Sequence, residues 1–258
     1  MSESSEIAVA LEHHVLTITI DRAAKKNALT LAMYDAMTAA LQRGRDDVTV
    51  RAIVLCGSGG HFTAGNDLMD FMKQPPQSSD SPVGRFLDLL VTHPKPILAA
   101  VEGVAIGIGT TLLLHCDLVW AATGARLQLP FVPLGLSPEA GSSLLLAQRC
   151  GHVRAAELLL LGEPFGPERA RELGLVNEVV EAAALHERVR ERAAAIAALP
   201  PASVRATKAL MRAPVIAALQ GVMEREAEVF FARLRSPEAA EAMSAFFGKR
   251  KPDFSRFE

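Results

Sequence analysis

The chain has 258 residues, 50% of them hydrophobic, with 27 Lys and Arg against 29 Asp and Glu for a net charge of −2. That much apolar material supports one sizeable core, and the lack of a basic field argues against nucleic acid or an anionic membrane as a partner. No stretch reaches the length of a membrane span, and Met1 to Glu6 has no basic segment followed by an apolar one, so a cytoplasmic protein is expected.

In chain order, residues 15–20 alternate as a strand, preceded by His13 and His14, whose side chains should point to opposite faces. Thr30 is placed to cap an amphipathic helix running to about Arg43, and residues 52–56 read as a buried strand. Residues 57–65 form a loop, and 74–82, rich in Pro, Gln and Ser, read as a mobile surface loop. Strands follow at 97–101, 118–121 and 126–129, then helices at 141–147, 153–161 and 167–173, then a strand at 176–180. From Ala182 onward the pattern is helical, with Ser236-Pro237-Glu238 a clear start signal, so an α/β core carries a helical tail. The cysteines, Cys56, Cys116 and Cys150, have no CxxC spacing and read as reduced core thiols. The histidines show no HxH or HxxxH pattern, and no metal is expected.

Two segments carry chemistry. Glu139 is the one carboxylate besides Asp117 between Gly103 and Ala156, with apolar segments on both sides. Burial there strips hydration from the charged form and raises its pKa toward the range where one group can both take and return a proton. Ser137-Pro138-Glu139 is equally a helix start, and on these residues alone that plainer role is the commoner one. Residues 95–117 read as strand, glycine turn and helix, which leaves unpaired N–H groups at Ile108, Gly109 and Thr110, suited to negative charge on an oxygen. Small residues there also permit close helix packing, and both roles are open.

Asp21-Arg22 with Lys26-Asn27-Ala28-Leu29, then Phe62 through Leu68, Lys95 through Asp117, and Leu129 through Glu139 stand in an order and spacing that resembles the crotonase, or enoyl-CoA hydratase/isomerase, superfamily. Leu161-Gly162-Glu163, Ala170 through Val176 and the Phe246 to Pro252 pattern extend the resemblance over nearly the whole chain. It implies an α/β fold: a spiral of repeated ββα units over residues 1–200, binding and transforming an acyl-CoA thioester, and a helical oligomerisation region over 201–258. A homotrimer or a dimer of trimers is implied, and no cofactor beyond the CoA that is part of the substrate.

The resemblance also implies roles for individual residues. The backbone N–H groups of Asn66 and Ile108 would form an oxyanion hole. Lys26, Ala28, Ala64, Asn66, Asp67, Leu68, Gly107, Phe131 and Lys249 would line the substrate and CoA site, with the nucleotide near Lys26 to Ala28 and its phosphates within reach of Lys249 or Arg250. Asp67 reads better as a cap or brace than as a catalyst. Hydratases of the superfamily place two glutamates where this chain has Thr111 and Phe131, and neither can ionise, so hydration is disfavoured. The chain is more similar to the Δ3,Δ2-enoyl-CoA isomerase branch in its peroxisomal form, whose catalytic glutamate falls at Glu139, although it closes Ser255-Arg256-Phe257-Glu258 rather than on Ser-Lys-Leu. Isomerisation of a 3-enoyl-CoA to the 2-enoyl-CoA is the implied reaction. The alternatives are another reaction on a CoA thioester (dienoyl-CoA isomerisation, thioester hydrolysis, dehalogenation) or acyl-CoA binding without turnover.

Overall fold

The computed structural model describes residues 6–73 and 80–257, so most of the anticipated 74–82 loop lies outside the described residues. Among these, strands β1 (Ile7–Glu12), β2 (Val15–Ile20), β3 (Ala52–Gly57), β4 (Ile97–Val101), β5 (Val104–Ile106), β6 (Leu118–Ala122), β7 (Arg126–Gln128) and β8 (Glu178–Val180) form two sheets. The larger has the order β1-β2-β3-β4-β6-β8, antiparallel at β1/β2 and parallel elsewhere. The smaller pairs β5 with β7 in parallel. From β4 the chain turns at Glu102 and Gly103 into β5, and from β6 it turns into β7, so successive turns lay one strand on each sheet. That is the expected spiral.

Alternation along the strands decides what lies on each face. Leu16, Ile18, Ile53, Leu55 and Ile97 enter one buried cluster, while Val15, Ala52, Val54, Leu98 and Trp120 enter another across the sheet. Both faces are covered, which is why β3 and β4 read as unbroken apolar runs. The helices are α1 (Leu31–Asp46), α2 (Leu68–Lys73), α3 (Pro82–Thr92), α4 (Ile108–Thr111), α5 (Ser142–Cys150), α6 (His152–Ala156), α7 (Pro167–Glu172), α8 (Ala182–Ala197), α9 (Pro201–Leu234) and α10 (Pro237–Phe247). Leu185, Val189, Ala193 and Ala197, four residues apart on α8, close the second face of the sheet.

Thr30 caps α1 as expected, accepting from Met33 N at 3.3 Å, and the helix runs on to Asp46. The structure departs from the sequence expectations at several points. His13 and His14, at φ 47° and 67°, form the tight turn between β1 and β2 rather than offering side chains to opposite faces of a strand. The strand before them escaped notice because β1 is a sheet edge whose Ala8, Val9 and Ala10 are exposed, so no apolar alternation marks it. Helix α3 was also unanticipated, although Ser81 accepting from Gly84 N, followed by Pro82, is a regular N-terminal signal. The helical stretch beyond residue 153 widens into a π-helical turn over Glu157–Leu161.

The tail is fastened to the core rather than hanging free. Lys208 on α9 reaches Asp117 Oδ2 at 2.7 Å and the Lys95 carbonyl at 2.8 Å, and Asp117 in turn accepts from Ile97 N at 2.7 Å. The same helix leaves Leu210 and Met211 exposed at 76% and 65%, an apolar face that no described residue covers.

Candidate active site

Two backbone segments meet at the centre of the site. Thr63 bridges to Ala105, donating N–H to Val104 O at 2.9 Å and accepting from Ile106 N at 3.0 Å. Glycines allow the contact: a Cβ on Gly65 would stand 2.7 Å from the Ile106 carbonyl oxygen, and one on Gly109 would stand 2.7 Å from Thr63 Cγ2. Gly107 is different. A Cβ there would meet nothing within 4 Å, but φ 56° and ψ −118° is a conformation that L side chains rarely adopt. This turn follows Ile106, whose carbonyl faces Gly65; the N–H groups of Asn66 and Ile108 donate to no partner among the described residues, and of the two only Asn66 lines the cavity described below. Helix α4 is only four residues long before it tightens into the 3-10 turn Leu112–His115, so these two N–H groups matter more than any helix dipole.

Asn66 is held from both sides. Leu29 N donates to Gly65 O and Asp67 N donates to Leu29 O, both at 2.8 Å, while the Tyr34 hydroxyl donates to Asn66 Oδ1 at 2.6 Å. Asp67 is a brace: it pairs with Arg22 at 2.7 Å and caps α2 by accepting from Met69 N and Asp70 N. The Arg22 guanidinium holds the Asp67 carboxyl below its ordinary pKa. Asn27, unnoticed in the sequence as a brace, is fully buried and ties the two loops together, donating to Ser58 O and His61 O.

Glu139 lies in an irregular stretch before α5, not in a helix, because α5 begins at Ser142 with Gly141 as its cap. The helix-start reading of Ser137 fails: its hydroxyl is buried with no hydrogen-bond partner among the described residues. The Thr111 hydroxyl donates to Glu139 Oε1 at 2.5 Å. Part of Glu139 opens onto a cavity, but protein surrounds it. Loss of hydration pushes its pKa up to about 7, with the Glu226 charge adding to the rise and the Thr111 hydrogen bond opposing it. Asn66 and Glu139 share the walls of that cavity, about 580 Å³, with Phe71, Leu87, Met223 and Phe230. Asp80, Asp88 and Glu224 also border it but are exposed, marking its open side.

The other anticipated residues fall in several places. Ala28, Ala64 and Leu68 are half-buried around the Asn66 loop, and Lys26 is exposed in the adjoining turn at φ 50°, its carbonyl accepting from Ala64 N. Phe131 packs in the main core and is not on the walls of this cavity. Lys249 is exposed in a left-handed turn after α10, whereas the Arg250 guanidinium is taken by both oxygens of Glu241 at 2.5 and 3.0 Å. The Cys116 thiol is pushed up to about 12 by burial, in keeping with an inert core residue.

A half-buried carboxyl of raised pKa, with an unpaired backbone N–H on the same cavity wall, is an arrangement able to move a proton next to a carbonyl. Residues 10–256 match the enoyl-CoA hydratase/isomerase family, and the chain belongs to it. It is 36% identical over 256 residues to enoyl-CoA delta isomerase 2 of Rattus norvegicus, covering 97% of this chain but only 65% of that longer protein. It is 31% identical to the 2,3-dehydroadipyl-CoA hydratase of Escherichia coli, covering 97% of this chain and 98% of the hydratase. The crystal structure of an enoyl-CoA hydratase/isomerase from Pseudoalteromonas atlantica T6c superposes with a TM-score of 0.93 at 41% identity, covering 97% of this chain and all of that one. The crotonase-type fold expected from the sequence is therefore present, and the protein is an enzyme of that family.

Proposed function

We propose that the protein isomerises a 3-enoyl-CoA to the conjugated 2-enoyl-CoA with Glu139 as a single proton shuttle. One observation carries this reading: the Glu139 carboxyl, near pKa 7 on the cavity wall, has a threonine hydroxyl beside it at one of the two positions where the resemblance implies a hydratase glutamate. In the forward direction the Glu139 carboxylate removes a proton from C2 of the substrate. The electron pair moves onto the thioester oxygen, giving a dienolate that the Asn66 and Ile108 N–H groups stabilise; losing one such donor typically costs about 3 kcal/mol of transition-state stabilisation. Protonated Glu139 then returns the proton at C4, leaving the double bond between C2 and C3. A pKa near neutrality suits both steps, since neither form of the acid dominates.

The apolar walls favour an acyl chain and keep water from the dienolate. We place the CoA nucleotide over the turn at Lys26 and Ala28, with Lys249 as a phosphate partner and Arg250 already engaged by Glu241. The exposed Leu210 and Met211 face is assigned to contact between copies of the chain, as a trimer or a dimer of trimers, which light scattering would test. Because one relative is a hydratase, the deciding experiment has two arms. Incubation with a 3-enoyl-CoA should yield the conjugated 2-enoyl product, while incubation with a 2-enoyl-CoA should yield little 3-hydroxyacyl-CoA. The reverse result would refute the isomerase reading.

A further inference from the structure

Glu139 opens a turn that the chain cannot hold by local preference. Ala140 at φ 57° and Gly141 at φ 71° are consecutive residues in the left-handed region, and for Ala140 that conformation is strained. Gly141 is also the cap residue of α5 and brings no side chain to satisfy the first N–H groups of that helix. Two buried side chains from distant parts of the chain meet both needs.

The first is His115, fully buried, with Nε2 2.7 Å from the Ala140 carbonyl oxygen. A carbonyl only accepts, so Nε2 carries the hydrogen, and Nδ1 is left buried with no partner among the described residues. An apolar side chain would avoid that unpaired nitrogen, so the histidine is best explained by its contact with Ala140. Burial lowers its pKa to about 3, which keeps the ring neutral.

The second is Glu226 on α9. Its Oε2 accepts from Gly141 N at 2.6 Å, and its Oε1 accepts from Ser143 N at 2.9 Å and from the Ser143 hydroxyl at 2.5 Å. It thus caps α5 in place of the missing side chain at Gly141, with an anion at the positive end of the helix. A Cβ on Gly141 would lie 2.2 Å from Leu219 Cδ1, so α9 presses directly on the turn.

We infer that His115 and Glu226 are positioning residues that hold the 139–143 turn so that the Glu139 carboxyl stays on Thr111 and on the cavity wall. The inference rests on the reading of Glu139 as the proton shuttle. The groups facing Glu139 are Thr111 from α4, Tyr34 from α1 and Glu226 from α9, and of these Glu226 is the one whose charge raises the Glu139 pKa. Removing that charge has a signature that a purely structural cap lacks.

The test combines kinetics on a 3-enoyl-CoA with infrared titration of the Glu139 carboxyl, whose band is identified by its loss in Glu139→Gln. Glu226→Gln should lower kcat on the order of 10- to 100-fold with little change in KM, the scale expected of a misplaced catalytic group, and should move the Glu139 midpoint to lower pH. His115→Leu should lower kcat similarly, and His115→Gln, whose amide can again donate to Ala140, should restore most of it. A folded Glu226→Gln enzyme with wild-type kcat and an unmoved midpoint overturns the inference. So does His115→Gln performing no better than a folded His115→Leu. If His115→Leu fails to fold, the Glu226→Gln results decide alone. Turnover by Glu139→Gln would refute the isomerase reading instead, and the infrared midpoint would still decide whether Glu226 governs Glu139.

Discussion

The Thr111 hydroxyl donates its hydrogen to Oε1 of Glu139 across 2.5 Å. A neutral donor there favours the ionised form of Glu139 without supplying an acid of its own. On the proposed isomerase reading, Glu139 alone must then both accept and return the proton.

The pH profile follows from this pair. With the Glu139 pKa near 7, kcat/KM should rise with pH through about 7 and level off above it, because the shuttle begins the forward reaction as a carboxylate. Thr111→Val removes a bond to the charged form, so the rise should move to higher pH by about one unit or more. An unmoved or lowered midpoint would contradict the role given to Thr111.

Glu139→Gln should reduce kcat on the order of 10²- to 10⁴-fold while leaving acyl-CoA affinity nearly unchanged, since the amide keeps the shape but cannot exchange a proton at neutral pH. Steady-state kinetics with calorimetric binding checks this.

The same variant should gain stability relative to the wild type as pH rises from 4.5 to 8. The folded pKa of Glu139 is about 7 against an ordinary 4.5, so between these values the native state holds a proton that the unfolded chain has released. Stability from this group is present below pH 4.5 and is lost as pH rises through 7. Denaturant unfolding should give Glu139→Gln an advantage of about 2–3 kcal/mol at pH 8 relative to its difference at pH 4.5. No pH dependence in that comparison would show that the carboxyl is better solvated than its surroundings imply.

Gly107→Ala separates strain from crowding. Space exists for the methyl group, so the penalty is conformational, about 1–3 kcal/mol in stability. The Ile108 N–H should be displaced with the turn, lowering kcat beyond what the loss of folded protein explains. Kinetics normalised to the folded fraction tests it.

Lys208→Ala should behave as a structural variant. It removes the partner of the half-buried Asp117, which keeps its bond from Ile97 N, and releases α9 from the Lys95 carbonyl, at a cost of about 1–3 kcal/mol. Turnover per folded molecule should fall far less than in Glu139→Gln.

The central strands were legible in the chain alone, because unbroken apolar runs such as residues 52–57 can satisfy their side chains only when covered on both faces. The sequence identified the family through ordered motifs. It also picked out Glu139, whose isolation among apolar residues already implied a raised pKa. Local signals were weaker where context overrides them: β1 is an exposed edge, and Ser137-Pro138 looks like a helix start although the chain stays irregular until Ser142. What supports Glu139 emerged from the packing. Thr111 approaches it from the end of α4, His115 reaches Ala140 from the end of the next 3-10 turn, and Glu226 arrives from α9. No spacing in the chain announces these contacts, because a hydrogen bond depends on distance in space, and the packing of α9 against the core brings residues far apart in sequence to within 3 Å.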